Sequence, residues 1–192
     1  MVITGATGAI GRALVKAFSA DTFDIRKDTD FPECAYLVNC MGVVYDKMAH
    51  KTDPLEWGRV IDINLIQTMD VIRMALPGMR KQKFGRIINL SSVVANMGVA
   101  GTSAYAASKA GLNGMIKSIA VENASKNVLI NNLNLGYMDL GMTKKIPNYD
   151  DLLEKIPVGS FGHASEIISA IEFLIKSDYI TGTCIDINGG LW

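Results

Sequence analysis

A chain of 192 residues, 49% of them apolar, is one domain's worth of protein with ample material for a buried core. Its 19 lysines and arginines balance 19 aspartates and glutamates, so charge argues for neither a nucleic acid nor an anionic membrane as partner. The three cysteines (Cys34, Cys40 and Cys184) cannot all pair and lack metal-ligand spacing. No apolar run nears the roughly 18 residues of a membrane span, and no leader precedes the first apolar segment, so a cytoplasmic protein with reduced thiols is expected.

In chain order, residues 1–4 form a short apolar run that reads as a strand. Gly5, Gly8 and Gly11 follow at once, and 10–19 reads as an amphipathic helix. Strand, glycine turn and helix in this order suit a dinucleotide. Gly5 permits the tight turn, Gly8 lets backbone N–H groups approach a pyrophosphate, and Gly11 lets the helix pack closely on the sheet. Residues 22–26 and 35–40 read as further strands. A helix is expected over 54–76, with Asp53 as cap, Pro54 at its first position and Glu56 in its first turn. A strand at 86–91, a helix at 102–124, a strand at 128–135, a helix at 164–176 and a strand at 183–187 complete the series. Several strands are near-continuous apolar runs, as buried parallel strands are. The alternation predicts one α/β domain over 1–192: a doubly wound, Rossmann-type parallel sheet of about six strands with helices on both faces.

Tyr105 and Lys109 lie four apart on the 102–124 helix, so they share a face, and Ser92 stands thirteen residues before Tyr105. A phenol, an ammonium and a hydroxyl are thereby placed to meet one carbonyl. A free tyrosine has a pKa of about 10, and a cation one turn away is expected to lower it, making a usable proton donor or acceptor. Ser103 is too close to Tyr105 to face it across a substrate, and Ser91 points to the other side of its strand, so Ser92 is the candidate serine. His50 and His163 are expected at the surface or capping a helix. Arg80, Lys81 and Lys83 are expected in a solvated turn, and the ten methionines mostly in the core.

These residues, taken in order, resemble the short-chain dehydrogenase/reductase family. Thr4 to Gly11 matches its cofactor turn. Asn39-Cys40-Met41-Gly42 stands where the family has Asn-Asn-Ala-Gly. Asn64 matches its helix asparagine, and Ser92, Tyr105 and Lys109 complete its tetrad. The segments from Gly136 to Thr143, from Ile156 to Gly162 and from Tyr179 to Gly190 look most like the 3-oxoacyl-acyl carrier protein reductase branch.

The resemblance implies an NADP- or NAD-dependent interconversion of a carbonyl and an alcohol, with a 3-oxoacyl thioester among the small-molecule substrates. Hydrogen bonds from Ser92 and Tyr105, proton donation by Tyr105, ribose binding by Lys109 and a proton-relay water on Asn64 are implied with it. The implied cofactor contacts are Gly5, Thr7, Gly8, Ala9, Ile10, Gly11, Asn39, Met41, Gly42, Tyr105, Lys109, Gly136 and Met138, with Met142 in the covering loop. A homo-oligomer, a tetramer ahead of a dimer, is implied through the two long helices. In the second of these, Ala106, Ala107, Ala110, Gly111 and Gly114 allow close approach. Residues 144–155 are expected to cover the substrate.

Four departures stand out. The segment between Gly11 and Asn39 lacks about one βα unit, which predicts the loss of a strand at the adenosine edge and a more open adenosine pocket. Gly8 sits one position early, as in sugar-nucleotide epimerases, whose large C-terminal region this chain lacks. Cys40 and Met41 replace Asn and Ala, while Leu135 and Leu140 replace a proline and a threonine. Asp24, Asp28 and Asp30 compete with Arg26 and Lys27 for the ribose, leaving NAD or NADP open. The competing reading is a dinucleotide-binding or structural subunit of the same fold with little turnover.

Overall fold

In the computed structural model, which describes residues 1–140 and 149–191, the apolar runs become six strands. They are β1 (Val2–Thr4), β2 (Asp21–Phe23), β3 (Tyr36–Asn39), β4 (Gly85–Ser92), β5 (Val128–Leu135) and β6 (Cys184–Ile187). All pair in parallel, in the order β2-β1-β3-β4-β5-β6. The order turns around at β1 and β3, and such a reversal opens a crevice beyond the carboxyl ends of the strands. β1, β4 and β5 are buried throughout, as parallel strands covered on both faces are, although β4 and β5 carry buried polar side chains among their apolar ones.

The helices are α1 (Ala9–Phe18), α2 (Pro54–Ile61), α3 (Gln67–Gln82), α4 (Ser103–Asn123), α5 (Tyr149–Glu154) and α6 (Ala164–Lys176). α3 and α4 cover one sheet face, with Ile72, Met79, Ile116 and Ile119 packed on Leu37, Ile87 and Ile130. α1 and α6 cover the other, where Leu14, Ile167, Ile171 and Leu174 meet Ile3, Val38 and Leu133. Asp53 caps α2 as expected, its Oδ1 accepting from Leu55 N at 2.9 Å. His163 is the N-cap of α6, and its backbone N–H donates to the Glu166 carboxylate.

Three expectations need correction. β2 ends at Phe23 rather than residue 26, because Asp24 starts a turn in which its carbonyl accepts from the N–H of both Lys27 and Asp28. The helix expected over 54–76 is interrupted by a π turn at Asp62–Ile66 and continues past Pro77 to Gln82. Proline removes one backbone bond, but Met79 beyond it is fully buried, and that burial holds the helix together. Nor is Arg80 merely solvated: it donates to Asn123 Oδ1 at 2.6 Å and ties the end of α3 to the end of α4.

At the amino end of the sheet Arg86 is fully buried. It donates to Gly85 O, Asn127 O, Ser177 O and Asp178 Oδ1, and its guanidinium lies 4.4 Å from the Phe84 ring. Its partners leave no buried charge unanswered, which makes it a structural clamp far from the crevice.

Candidate functional site

The crevice begins at the glycine turn. Gly5 has φ +64, and a Cβ there would stand 2.6 Å from the Cys40 carbonyl carbon. A Cβ on Gly11 would come within 2.8 Å of Ala6 Cα, so α1 packs on this turn only because residue 11 is glycine. Gly8 is the extended N-cap of α1, and no side chain caps the helix. The N–H groups of its first turn and its positive dipole end are thus left for an anion.

Two cavities continue from there and share Cys40, Met41 and Gly42 as a common wall. The larger, about 440 Å³, lies between the glycine turn (Gly5, Thr7 and Gly8) and the turn after β2. Asp24, Arg26, Lys27 and Asp28 line it, so all but Asp30 of the charged residues competing for the ribose stand at that cavity. Asp24 is already engaged: Arg26 Nε and Nη2 donate to its two oxygens at 2.9 and 2.8 Å. That bidentate bond, together with the nearby cations, holds the Asp24 carboxyl down at about 2. β2 is the edge strand on this side, as the shortened segment predicts.

The smaller cavity, about 230 Å³, gathers the candidate serine, tyrosine and lysine. Ile10, Met41, Gly42, Ser92, Tyr105, Lys109, Gly136 and Met138 line it together, with Ser91, Val44 and Leu135. Ser92 ends β4 and Tyr105 lies in the first turn of α4, which is why thirteen residues bring them to one spot. The Ser92 hydroxyl accepts from Val94 N at 3.4 Å and stands near enough to Tyr105 to favour its ionised form. The Ser91 hydroxyl turns away and donates to Lys109 O. Lys109 is buried; its Nζ lies 5.6 Å from the Tyr105 ring centre and donates to Leu90 O at 2.7 Å. Backbone acceptors such as the Leu90 carbonyl carry no sequence signature, and this contact was not foreseen.

Of the remaining candidates, Ala9 starts α1 without lining either cavity. Asn39 is buried beneath the crevice and bonds Thr4 and Asn89. Asn64 sits fully buried in the π turn. Its Oδ1 accepts from Val43 N at 2.8 Å, and its Nδ2 donates to Val43 O at 2.9 Å and Ser108 Oγ at 3.0 Å. The amide thus pins the loop after β3 to α4. Residues 141–148, which include Met142 and the start of the segment 144–155, lie outside the described residues; α5, within that segment, was not foreseen.

The expected electrostatics at Tyr105 are reversed. Burial pushes its phenol above the usual value, the Asp46 charge adds to this, and the nearby Ser92 hydroxyl only partly offsets it. Lys109 does not lower it, because the same burial brings the ammonium down to about 8. Desolvation acts on both groups and favours their neutral forms. Burial likewise pushes the Cys40 thiol to about 12, so it stays protonated and unreactive.

A glycine turn, a helix start with no side-chain cap and a serine–tyrosine–lysine group facing one crevice are now joined by one further finding. Residues 7–192 match the family described as Enoyl-(Acyl carrier protein) reductase. The chain belongs to the short-chain dehydrogenase/reductase family. A 3-oxoacyl-[acyl-carrier-protein] reductase of Thermotoga maritima is 40% identical over 159 residues, 81% of this chain and 65% of that protein. An acetoacetyl-CoA reductase of Allochromatium vinosum is 38% identical over 160 residues, 81% of this chain and 65% of that protein. The chain thus spans about two thirds of the length of these family members. A 3-oxoacyl-[acyl-carrier protein] reductase of Brucella melitensis has the same fold, with TM-score 0.88 at 23% identity, covering 99% of this chain and 90% of that one. Among the described residues no helix is long and apolar enough to cross a membrane, and no cluster of His, Cys, Asp or Glu is placed to hold a metal.

Proposed function

We propose that the protein is an NADP(H)- or NAD(H)-dependent oxidoreductase that interconverts a carbonyl and an alcohol, with 3-oxoacyl thioesters as its substrate class. The observation that carries this reading is the meeting of Ser92, Tyr105 and Lys109 in a cavity that adjoins the glycine turn through a shared wall. The 40% and 38% relatives, named for 3-oxoacyl and acetoacetyl thioesters, support the substrate class.

The residues present fit a dinucleotide. The glycine cradle would meet its pyrophosphate, the larger cavity its adenosine end, and the smaller its nicotinamide end. When bound, the nicotinamide supplies or accepts the hydride. Ser92 and Tyr105 hydroxyls orient the substrate carbonyl and polarise it by donating to its oxygen. Tyr105, held protonated by burial, gives its proton to that oxygen as the alcohol forms. Lys109 would offer its ammonium to the ribose hydroxyls of that nicotinamide, beside the Tyr105 ring. Asn64 holds the Val43 loop against α4, so it keeps the cleft wall in place.

Arg26 and Lys27 are largely exposed at the adenosine cavity, while Asp24 is occupied by Arg26. A 2′-phosphate finds cations there, which puts NADP(H) ahead of NAD(H). We place the protein in the cytoplasm, in keeping with its three free thiols.

Fluorescence titration with NADPH and NADH tests the reading. Binding below about 100 μM, tighter for NADPH, is expected of an enzyme working near cellular cofactor levels. Failure of both to bind below millimolar concentration would overturn it, and binding without turnover on any 3-oxoacyl thioester would favour the subunit reading.

A further inference from the structure

A file of buried amides crosses the sheet just below the crevice. Thr4 Oγ1 donates to Asn39 Oδ1 at 3.0 Å, Asn39 Nδ2 to Asn89 Oδ1 at 2.7 Å, and Asn89 Nδ2 to Asn132 Oδ1 at 2.9 Å. The last link leaves the sheet: Asn132 Nδ2 donates to Asn113 Oδ1 on α4 at 2.9 Å. The first four residues are partners in register on β1, β3, β4 and β5, and each is at most 2% exposed. Every bond runs in the same direction, so each amide spends its oxygen on the previous neighbour and its nitrogen on the next. Burying four polar side chains is costly unless all are satisfied, and satisfied in this way they fix one geometry.

The end of the file is where the catalytic helix needs a directional tie. The amino-terminal half of α4 buries Ala104, Ser108 and Lys109, and its first large apolar anchor is Leu112. Small side chains give a helix little to interlock with, and apolar packing alone does not set its rotation. Asn113 lies four residues after Lys109, on the same face and one turn further along. Lys109 is tied to Leu90 O, but its ammonium is also the group offered to the cleft. The Asn113–Asn132 bond is held back from the cleft and is free of that duty.

We propose that Asn113 and Asn132 are positioning residues: their bond fixes the rotation and depth of α4 and so aims Tyr105 and Lys109 at the reacting carbonyl. This rests on the oxidoreductase reading of those two residues. The file reaches back to Thr4, beside Gly5, so the phosphate turn and the catalytic helix are referenced to one hydrogen-bonded line.

The test removes the Asn113–Asn132 bond and keeps an acceptor for Asn89: Asn113→Leu with Asn132→Thr, whose hydroxyl replaces the Asn132 oxygen that Asn89 donates to. Asn113→Leu alone leaves the buried Asn132 Nδ2 unpaired and is expected to lower the melting temperature; the double change removes both ends of that bond and restores it to within about 3 °C. A purely structural pair would then restore everything. A positioning pair instead leaves the double variant with backbone amide exchange over residues 104–109 about tenfold faster in the cofactor-free protein. Its kcat falls by about thirtyfold, with KM changed less than about threefold. Asn113→Asp, which keeps the acceptor, retains kcat within about threefold of wild type. A double variant with recovered melting temperature, wild-type exchange and wild-type kcat overturns the proposal. Exchange is read without cofactor, so it decides the positioning role even if the wild-type protein turns over no substrate, a result that would count against the oxidoreductase reading alone.

Discussion

Lys109 shows most directly what burial does to a candidate site side chain. Its ammonium loses water, and its pKa drops from 10.5 to about 8. The folded protein therefore releases this proton near pH 8, whereas the unfolded chain keeps it until about 10.5. Below pH 8 the full cost of the buried cation is present. Between these values the unfolded state binds the extra proton, so this group's contribution to stability rises with pH. The difference corresponds to about 3 kcal/mol at pH 7. Lys109→Met is accordingly expected to abolish turnover while raising stability at pH 7 by up to about 3 kcal/mol, an advantage that fades above about pH 10. Urea unfolding at pH 7 and pH 10 checks this, and a variant less stable than wild type at pH 7 would refute it. The chain spacing placed Tyr105 beside Lys109 but gave no access to this sign. Whether a neighbouring cation or desolvation dominates depends on depth, and depth is a property of the packed molecule.

At the scale of elements, the glycine turn and α1 were legible because each glycine answers a local constraint. Gly11 is the sharpest case: a Cβ would drive into Ala6 Cα and the Gly5 carbonyl, neither of which is a flexible side chain. Gly11→Ala is expected to push α1 off β1, destabilising the protein by about 1–3 kcal/mol and weakening dinucleotide binding at least about tenfold. Thermal melts and cofactor titration check it; unchanged affinity would mean that the turn tolerates the shift. The long helix before β4 was legible in its start and not in its middle. Val60, Asn64, Thr68 and Ile72 must all face inward, and spacings of four drift around a helix of 3.6 residues per turn. The wider turn at Asp62–Ile66 takes out that drift and aims Asn64 at Val43. No propensity encodes such a turn, since it is selected by what the inward face must touch. The Asn132–Asn113 contact was hidden for the same reason: Asn132 lies on a strand and Asn113 on a helix nineteen residues before it, and only the packed geometry joins them.

For the whole molecule, alternating strands and helices were enough to foresee about six parallel strands, and the resemblance to a family with one more βα unit there foresaw the open edge at β2. How copies assemble is a matter of surfaces. Leu55 on α2 and Val121 on α4 are more than four-fifths exposed, and Ile66 is half exposed. Ala107, Ala110 and Gly114 lie on the exposed side of α4, whereas Gly111 is taken up within the chain by Leu65. We propose that these helices pack against a second copy in a homo-oligomer, a tetramer ahead of a dimer. Sedimentation equilibrium is expected to give a mass above the 20.8 kDa monomer, and Leu55→Glu with Val121→Glu to lower it. A wild-type monomer at micromolar concentration would contradict the assembly without touching the site.

The central claim is that Tyr105 is the proton donor of a hydride-transfer site. Steady-state reduction of acetoacetyl-CoA by NADPH, followed for wild type and Tyr105→Phe, tests it most directly. Loss of the phenolic proton should lower kcat by about 10²–10⁴-fold while dinucleotide affinity stays within about threefold. A Tyr105→Phe protein that reduces the substrate at the wild-type rate would contradict the account.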